Sequence, residues 1–115
     1  MHYDIAITGG TTVVPGRGRI DAEIGIEGGR IAAIVEPGSK LDATEQIDAS
    51  GKVILPGVID THVHWGYKGE FVEQCRAESR AALVGGTTTM HLLHRAPAAE
   101  YPRFLELAQQ NTSAD

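Results

Sequence analysis

Hydrophobic patterning divides the chain into two parts with different periods. In the first fifty residues, short stretches alternate between apolar and polar side chains and are separated by turns rich in glycine and proline, which is typical of half-buried β-strands. The predicted strands are residues 3–8, 11–14, 22–27, 30–35 and 46–48. Gly28 and Gly29 predict a tight hairpin turn between the third and fourth of them, because glycine accepts positive φ at both turn positions.

The period changes after residue 52. Residues 53–60 form a continuous apolar run and predict one strand that is covered on both faces. Residues 70–84 carry an apolar stripe at helical spacing and are followed by two glycines, so they predict a helix with its stop. A β-rich segment follows at residues 87–93, and a shorter helix is predicted at residues 103–110. The polar residues 111–115 come last. The order strand–helix–strand–helix predicts parallel strands with right-handed crossovers.

Composition narrows the class of protein. A chain of 115 residues supports one modest domain but is far shorter than the roughly 250 residues of a complete (β/α)₈ barrel. The net charge of −5 disfavours nucleic acid as a partner, because phosphate contacts need clustered lysine and arginine. No apolar run approaches the roughly 18 residues of a membrane span, so we expect no membrane partner. The single cysteine, Cys75, excludes an internal disulfide and predicts a cytoplasmic location.

Two histidines at the end of the apolar run carry the main candidate chemistry. Side chains alternate along a strand, so Asp60, His62 and His64 are predicted to share one face. Two neutral imidazoles on one face can bind one metal ion. Asp60 is expected to orient a ligand histidine or a neighbouring strand rather than to bind metal itself. The alternative is a pair of hydrogen-bonded histidines with no metal.

The remaining reactive side chains are predicted to have no catalytic or metal-binding role. His91 and His94 are three residues apart, which places them on opposite faces of a strand, so we expect a polar surface there and not a second metal site. Cys75 lies on the apolar side of the predicted helix, where nothing lowers the pKa of its thiol, so it is expected to pack and not to act as a nucleophile.

Two motifs in a fixed order point to a known family. The run PGVIDTHVH at residues 56–64 precedes the run AALVGGTTTM at residues 81–90, about 20 residues further on. Together they resemble the amidohydrolase superfamily, and most of all its cyclic amidohydrolases: hydantoinases, dihydropyrimidinases, allantoinases and dihydroorotases. The resemblance covers nearly the whole chain, because the N-terminal strands also match the small β-sandwich of that family.

The resemblance implies an α/β fold with an all-β lead-in. Residues 1–52 would form half of a small β-sandwich, and residues 53–115 the first two βα units of an incomplete (β/α)₈ TIM-type barrel. The chain is then expected to be an N-terminal fragment of a longer enzyme. Such a fragment leaves barrel edges open, so an exposed apolar strip is expected along residues 53–60.

The resemblance also implies a function, which is metal-dependent hydrolysis of C–N bonds in cyclic amides of the hydantoin or dihydropyrimidine type. His62 and His64 would bind the more buried of two divalent ions, with zinc favoured, and these ions would activate water and polarise the ring carbonyl. The other ligands of the family, a carboxylated lysine, two histidines and an aspartate, lie on later barrel strands. The isolated chain is therefore expected to be inactive, and the complete enzyme to be a homo-oligomer acting on a small cyclic amide.

Departures from the family pattern leave the substrate open. Dihydroorotases of this type usually carry an arginine two residues after the second histidine, where it holds the substrate carboxylate, and this chain has Gly66 there. This departure disfavours a dihydroorotase and favours a hydantoinase- or dihydropyrimidinase-like activity. Trp65 and Tyr67 flank this glycine and either form an apolar wall for a flat substrate or simply pack the loop. The sequence His91-Leu92-Leu93-His94 also replaces the aspartate or Pro-Asn-type loop of the family.

Two other classes of protein stay open at this point. One is a non-catalytic structural relative of dihydropyrimidinase, although such relatives usually lack the metal histidines. The other is a small independent β-rich binding module that happens to carry a His-x-His sequence.

Overall fold

The computed structural model describes residues 1–113. It consists of two compact units, and the second begins at Gly57. This division falls a few residues after the boundary predicted between residues 52 and 53, because Val53 and Ile54 pair with a strand of the first unit.

Seven strands in two sheets make up the first unit. The strands are β1 (His2–Thr8), β2 (Thr11–Val14), β3 (Gly18–Asp21), β4 (Glu23–Glu27), β5 (Arg30–Val35), β6 (Asp42–Asp48) and β7 (Val53–Ile54). One sheet has the order β5-β4-β1-β6 and the other the order β3-β2-β7. The pairs β1–β6 and β2–β7 are parallel, and the pairs β1–β4, β4–β5 and β2–β3 are antiparallel.

Small side chains let the core of the first unit close tightly. Ala6, Ala22 and Ala49 are buried together with Tyr3 and Ile24. The Tyr3 ring lies against Gly25 of the neighbouring strand, where an added Cβ would come within 2.8 Å of the ring. Glycine at position 25 therefore leaves space for the buried ring of Tyr3.

The structure corrects two strand predictions in the first unit. Residues 18–21 form β3, which the sequence pattern did not predict, and β6 begins at Asp42 and not at residue 46. Both strands are mostly exposed and polar. Their extent is determined by hydrogen bonding to β2 and β1, because their own side chains show no hydrophobic alternation.

The prediction of one continuous strand over residues 53–60 is wrong. Leu55, Pro56 and Gly57 separate β7 from β8 (Val58–Val63). Proline lacks the N–H that a ladder requires, so the apolar run cannot stay paired through position 56. The two pieces pair with different partners: β7 with β2, and β8 with β9 (Thr87–Leu92).

The second unit has the predicted order strand–helix–strand–helix. Helix α1 (Phe71–Val84) connects β8 to β9, and a 3₁₀ turn at Ala98–Glu100 leads into α2 (Tyr101–Asn111). β8 and β9 are parallel, which confirms that prediction. Helix α2 starts before Pro102, in contrast to the predicted start at residue 103, because proline is tolerated in a first helical turn. Within the predicted polar segment 111–115, residues 114 and 115 lie outside the described residues.

Aromatic and aliphatic residues from both helices and both strands form the core of the second unit. Trp65, Phe71 and Cys75 are buried at its centre and are packed against Val63, Met90, Leu92, Phe104, Leu107 and Ala108. Burial raises the pKa of the Cys75 thiol, so the side chain packs and does not act as a nucleophile. Ser79 is buried on the same face of α1, and its hydroxyl accepts a hydrogen bond of 2.9 Å from the Ser113 N–H.

Large apolar side chains along residues 53–60 are exposed, as predicted. Four large side chains around the junction are strongly exposed: Val53 (48%), Leu55 (65%), Val58 (55%) and Ile59 (64%). We call these four residues the apolar strip. Across residues 1–113, neither helix is long and apolar enough to cross a membrane.

Candidate metal centre

The two predicted histidines meet at the C-terminal end of β8. The Nε2 atoms of His62 and His64 are 2.9 Å apart, and the rings are nearly perpendicular, at 80°. Both side chains are exposed to solvent. Two nitrogens that each bind one tetrahedral ion at about 2.0–2.1 Å are themselves separated by about 3.3–3.4 Å. The two rings are therefore within hydrogen-bond distance of each other, and a shift of a few tenths of an ångström would bring their nitrogens to the spacing of two ligands of a single ion.

A backbone carbonyl determines which nitrogen of His64 is free. Nδ1 of His64 lies 2.8 Å from the carbonyl oxygen of Leu93, at the end of β9. Because a carbonyl oxygen can only accept, Nδ1 carries the proton and donates it. In the neutral ring, Nε2 then carries the lone pair that faces His62. A hydrogen bond from the far nitrogen of a histidine to a carbonyl is the usual way that proteins orient an imidazole ligand.

Asp60 acts on the backbone and not on an imidazole ring. Its Oδ1 accepts a hydrogen bond of 3.0 Å from the backbone N–H of His62. This contact between residue i and residue i+2 coincides with an irregularity in the β8–β9 register between Asp60 and Val63. Asp60 therefore shapes the end of the strand that carries the two histidines.

An open cavity of about 730 Å³ adjoins the histidine pair. Its lining combines the two imidazoles with an aromatic ring, two cations, an amide and a carboxylate: His62, His64, Tyr67, Lys68, Arg95, Gln74 and Glu78. These residues come from the end of β8, from the loops after β8 and β9 and from α1, so the crossover connection builds the cavity next to the strand ends.

The two aromatic residues that flank Gly66 have different surroundings. Tyr67 lines the cavity, and its ring centroid lies 5.2 Å from that of His64. Trp65 is only 4% exposed and belongs to the hydrophobic core. Of the two readings that the sequence left open, packing therefore applies to Trp65, and a substrate wall stays a proposal for Tyr67 alone.

His94 is not part of a polar surface, in contrast to the sequence prediction. Its ring is half-buried between Phe71 and Phe104, with ring centroids 4.8 Å and 4.2 Å away. Its Nδ1 donates a hydrogen bond of 3.2 Å to the carbonyl oxygen of Trp65. The sequence carried a weak signal of this packing, since His94 follows the apolar pair Leu92-Leu93. His91 is exposed, as predicted.

The histidine pair fits a metal ion but does not complete its coordination. Hydrolytic metal sites usually have three protein ligands. Within residues 1–113, no group of three or more histidine, cysteine, aspartate or glutamate side chains is arranged to hold an ion. The described residues thus offer two converging imidazole nitrogens as a partial ligand set.

Comparison with solved structures assigns the fold. The structure is similar to L-hydantoinase (dihydropyrimidinase) from Arthrobacter aurescens, with a TM-score of 0.81 and 28% identity over 98% of this chain and 26% of that chain. D-Hydantoinase (dihydropyrimidinase) from Thermus sp. matches with a TM-score of 0.71 and 29% identity over 96% of this chain and 26% of that chain. The chain belongs to the amidohydrolase superfamily.

Curated relatives of this amidohydrolase chain have the same affiliation. Allantoinase from Escherichia coli is 41% identical over 92 residues, which cover 78% of this chain and 19% of the relative. Adenine deaminase 2 from Agrobacterium fabrum is 49% identical over 65 residues, which cover 56% of this chain and 11% of the relative. The amidohydrolase chain therefore spans less than a fifth of the curated relatives that it matches. No family model matches it.

Proposed function

We propose that this chain supplies His62 and His64 as metal ligands to an enzyme that hydrolyses the C–N bonds of cyclic amides. The observation that carries the proposal is the pair of Nε2 atoms 2.9 Å apart at a strand end, beside an open cavity. The expected ions are divalent, with zinc favoured, because imidazole nitrogen is a good ligand for zinc. The two ions and the remaining ligands of the proposed enzyme would involve residues beyond those described.

Structural likeness supports cyclic amides over open-chain amides as the substrate class. The hydantoinases match 94% to 98% of this chain with TM-scores of 0.71 to 0.81. The D-aminoacylases and the N-acyl-D-glutamate deacylase match 76% to 78% of it with TM-scores of 0.55 to 0.60. Allantoinase, a curated relative, supports the same choice.

The residues of the chain have separate roles in the proposed reaction. A bound divalent ion would activate a water molecule and polarise the amide carbonyl. The Leu93 carbonyl holds His64 with its Nε2 lone pair towards His62. Asp60 holds the backbone of His62, and Tyr67 places an aromatic face beside the imidazoles. The chain by itself is proposed to be inactive, because the described residues provide two ligands where hydrolysis needs about three.

The zinc affinity of the chain distinguishes the proposed enzyme from the two other classes of protein. Neither a non-catalytic relative nor a β-rich binding module requires its two imidazoles to bind a metal ion. Either alternative therefore predicts that the chain binds zinc no better than a variant that lacks one of these rings. The presence of both His62 and His64 favours the proposed metal-dependent enzyme over these alternatives.

Zinc titration of the 115-residue chain tests the proposal. We expect weak but measurable zinc binding by isothermal titration calorimetry, at least about tenfold weaker in His62→Ala because one of two ligands is lost. His91→Ala is the matched control, since His91 is exposed and does not line the cavity, and its zinc affinity should equal that of the wild type. Equal affinities in the wild type and His62→Ala would contradict the metal site.

No turnover of hydantoin or dihydrouracil is expected, and turnover that disappears in His62→Ala would contradict the inactivity of the chain.

A further inference from the structure

The peptide between Trp65 and Gly66 directly follows the candidate ligand His64 and is held at both of its polar groups. Its carbonyl oxygen, which belongs to Trp65, accepts a hydrogen bond of 3.2 Å from Nδ1 of His94. Its N–H, which belongs to Gly66, donates to the side-chain amide oxygen of Gln74. One partner lies in the loop after β9 and the other in α1. The orientation of this peptide plane therefore depends on two side chains that lie far from it in sequence.

Glycine at position 66 makes this orientation easy to lose. Gly66 has φ of +81°, and glycine adopts positive and negative φ about equally readily. A rotation of the Trp65–Gly66 peptide plane therefore meets little intrinsic steric resistance. Such a rotation would turn the carbonyl oxygen away from His94 and the N–H away from Gln74 together. The two hydrogen bonds thus select one orientation of the backbone beside His64.

The ring of His94 is held by aromatic packing. It is half-buried between Phe71 and Phe104, with ring centroids 4.8 Å and 4.2 Å away, and the two phenyl rings are 5.0 Å apart in an edge-to-face arrangement. Aromatic rings at these separations attract each other beyond the effect of burial alone. An imidazole packed in this way loses little further freedom when its Nδ1 donates to the Trp65 carbonyl. Packing against α1 and α2 therefore sets the direction of this hydrogen bond.

The residue before His94 holds the same segment. Leu93 donates its N–H to the Val63 carbonyl at 2.8 Å, and its own carbonyl accepts the Nδ1–H of His64 at 2.8 Å. Leu93 and His94 together therefore contact three consecutive residues, 63–65. The ring of His64 is oriented through Leu93, and the backbone that follows His64 is oriented through His94.

We propose that His94 is a positioning residue for the metal ligand His64. His94 does not line the cavity beside the histidine pair, so it acts through the Trp65 carbonyl. The fixed peptide restricts the chain on the C-terminal side of His64 and keeps its Nε2 directed towards that of His62. This role rests on the proposed function, because it concerns a metal ion held by these two histidines. Replacing a residue that orients a metal ligand typically costs roughly 10- to 100-fold in metal affinity.

Two substitutions of His94 separate hydrogen bonding from packing. His94→Phe keeps an aromatic ring between Phe71 and Phe104 but has no donor, whereas His94→Asn keeps an N–H donor near the position of Nδ1 but loses the ring. Zinc affinity is measured by isothermal titration calorimetry and stability by urea unfolding of the 115-residue chain. We expect His94→Phe to bind zinc about tenfold more weakly at unchanged stability. His94→Asn should keep most of the zinc affinity and lose stability.

Hydrogen exchange of the Gly66 N–H tests the same role without metal. A peptide that is no longer held opens more often, so its N–H exchanges faster. Relative to the Leu93 N–H, which bonds the Val63 carbonyl, we expect exchange about fivefold faster in His94→Phe, as for the loss of one ordinary hydrogen bond. His94→Asn should resemble the wild type. His91→Phe is the matched control, because His91 is an exposed histidine of β9, and it should change neither zinc affinity nor exchange.

The outcomes separate the role of His94 from the metal site itself. Unchanged zinc affinity or unchanged Gly66 exchange in His94→Phe would overturn the positioning role. Zinc affinity that falls in step with stability in both His94 variants would also overturn it and would make His94 a packing residue only. A wild type that binds zinc no better than His62→Ala contradicts the proposed function, and Gly66 exchange in His94→Phe then decides by itself whether His94 holds the peptide.

Discussion

Single aspartates shape the backbone at two strand ends of this chain. Asp60 accepts the N–H of His62, and Asp48 accepts both the N–H and the hydroxyl of Ser50, at 2.8 Å and 2.5 Å. An aspartate that bonds the residue two positions on offers the backbone an alternative to the strand ladder. In both cases the strand becomes irregular or ends there, and at Asp60 this irregularity lies beside the candidate ligands.

The pKa of Asp48 depends on its contact with Ser50. The Ser50 hydroxyl, followed by the Ser50 N–H, lowers the pKa of the Asp48 carboxyl below its ordinary value of 3.8. Because the folded pKa is lower than the unfolded one, the contact stabilises the fold above the unfolded pKa and is lost as pH falls through the folded value. We expect Ser50→Ala to raise the pKa of Asp48 towards 3.8 in an NMR titration. Ser39→Ala, which removes a different hydroxyl contact, should leave it unchanged, and a pKa of Asp48 that does not move in Ser50→Ala would contradict this account.

At the scale of elements, the close pairing of β8 with β9 requires a glycine at position 57, immediately before β8. Gly57 precedes β8, and an added Cβ would come within 2.8 Å of the Cβ of Thr88 and closer still to its hydroxyl and methyl groups. Side-chain rotation cannot move a Cβ, so the two strands would have to separate. Close approach, and not positive φ, therefore explains this glycine.

We expect Gly57→Ala to lower the free energy of unfolding by about 1–3 kcal/mol, the usual cost of overpacking. Adding Thr88→Ala removes the nearest hydroxyl and methyl groups and should recover part of the loss. Gly69→Ala is the matched control, because its Cβ would meet a side chain only at an ordinary 3.4 Å. Urea unfolding followed by circular dichroism measures all four proteins. Equal stability of Gly57→Ala and Gly69→Ala would show that the strands can absorb the added methyl group.

For the whole molecule, the exposed apolar side chains of the apolar strip bear on stability. The side chains of Val53, Leu55, Val58 and Ile59 are between 48% and 65% exposed. At roughly 25 cal/mol per Å², a few hundred Å² of uncovered apolar surface forfeits several kcal/mol, which is comparable to the stability of a small domain. The isolated chain is therefore expected to be marginally stable or to cover this surface by association.

We expect the mass of the 115-residue chain, measured by light scattering after size-exclusion chromatography, to rise with protein concentration. Ile59→Lys should reduce this rise, because it places a charge in the apolar strip. Ile31→Lys is the matched control, since Ile31 is equally exposed, at 66%, but lies on β5 outside the strip. A monodisperse monomer with a sharp, cooperative thermal transition would contradict the expectation and favour an independent module.

The sequence by itself determined most of the local structure and the superfamily. Alternation, glycine turns and the helical stripe predicted most of the strands and both helices, because these features depend on residues a few positions apart. The HxH sequence and the glycine–threonine run identified the superfamily. The same spacing predicted that His62 and His64 would converge.

Only the tertiary structure decided where the apolar run divides, how far β6 extends and which side chains surround the histidine pair. The Leu93 carbonyl that orients His64 and the Trp65 carbonyl that binds His94 are each 29 residues away in sequence from the histidine they contact. Arg95 and Lys68 share one cavity only because β8 and β9 are parallel and end at the same edge. Local periodicity carries no information about such partners, since strand pairing and helix packing bring them together only when the chain has folded.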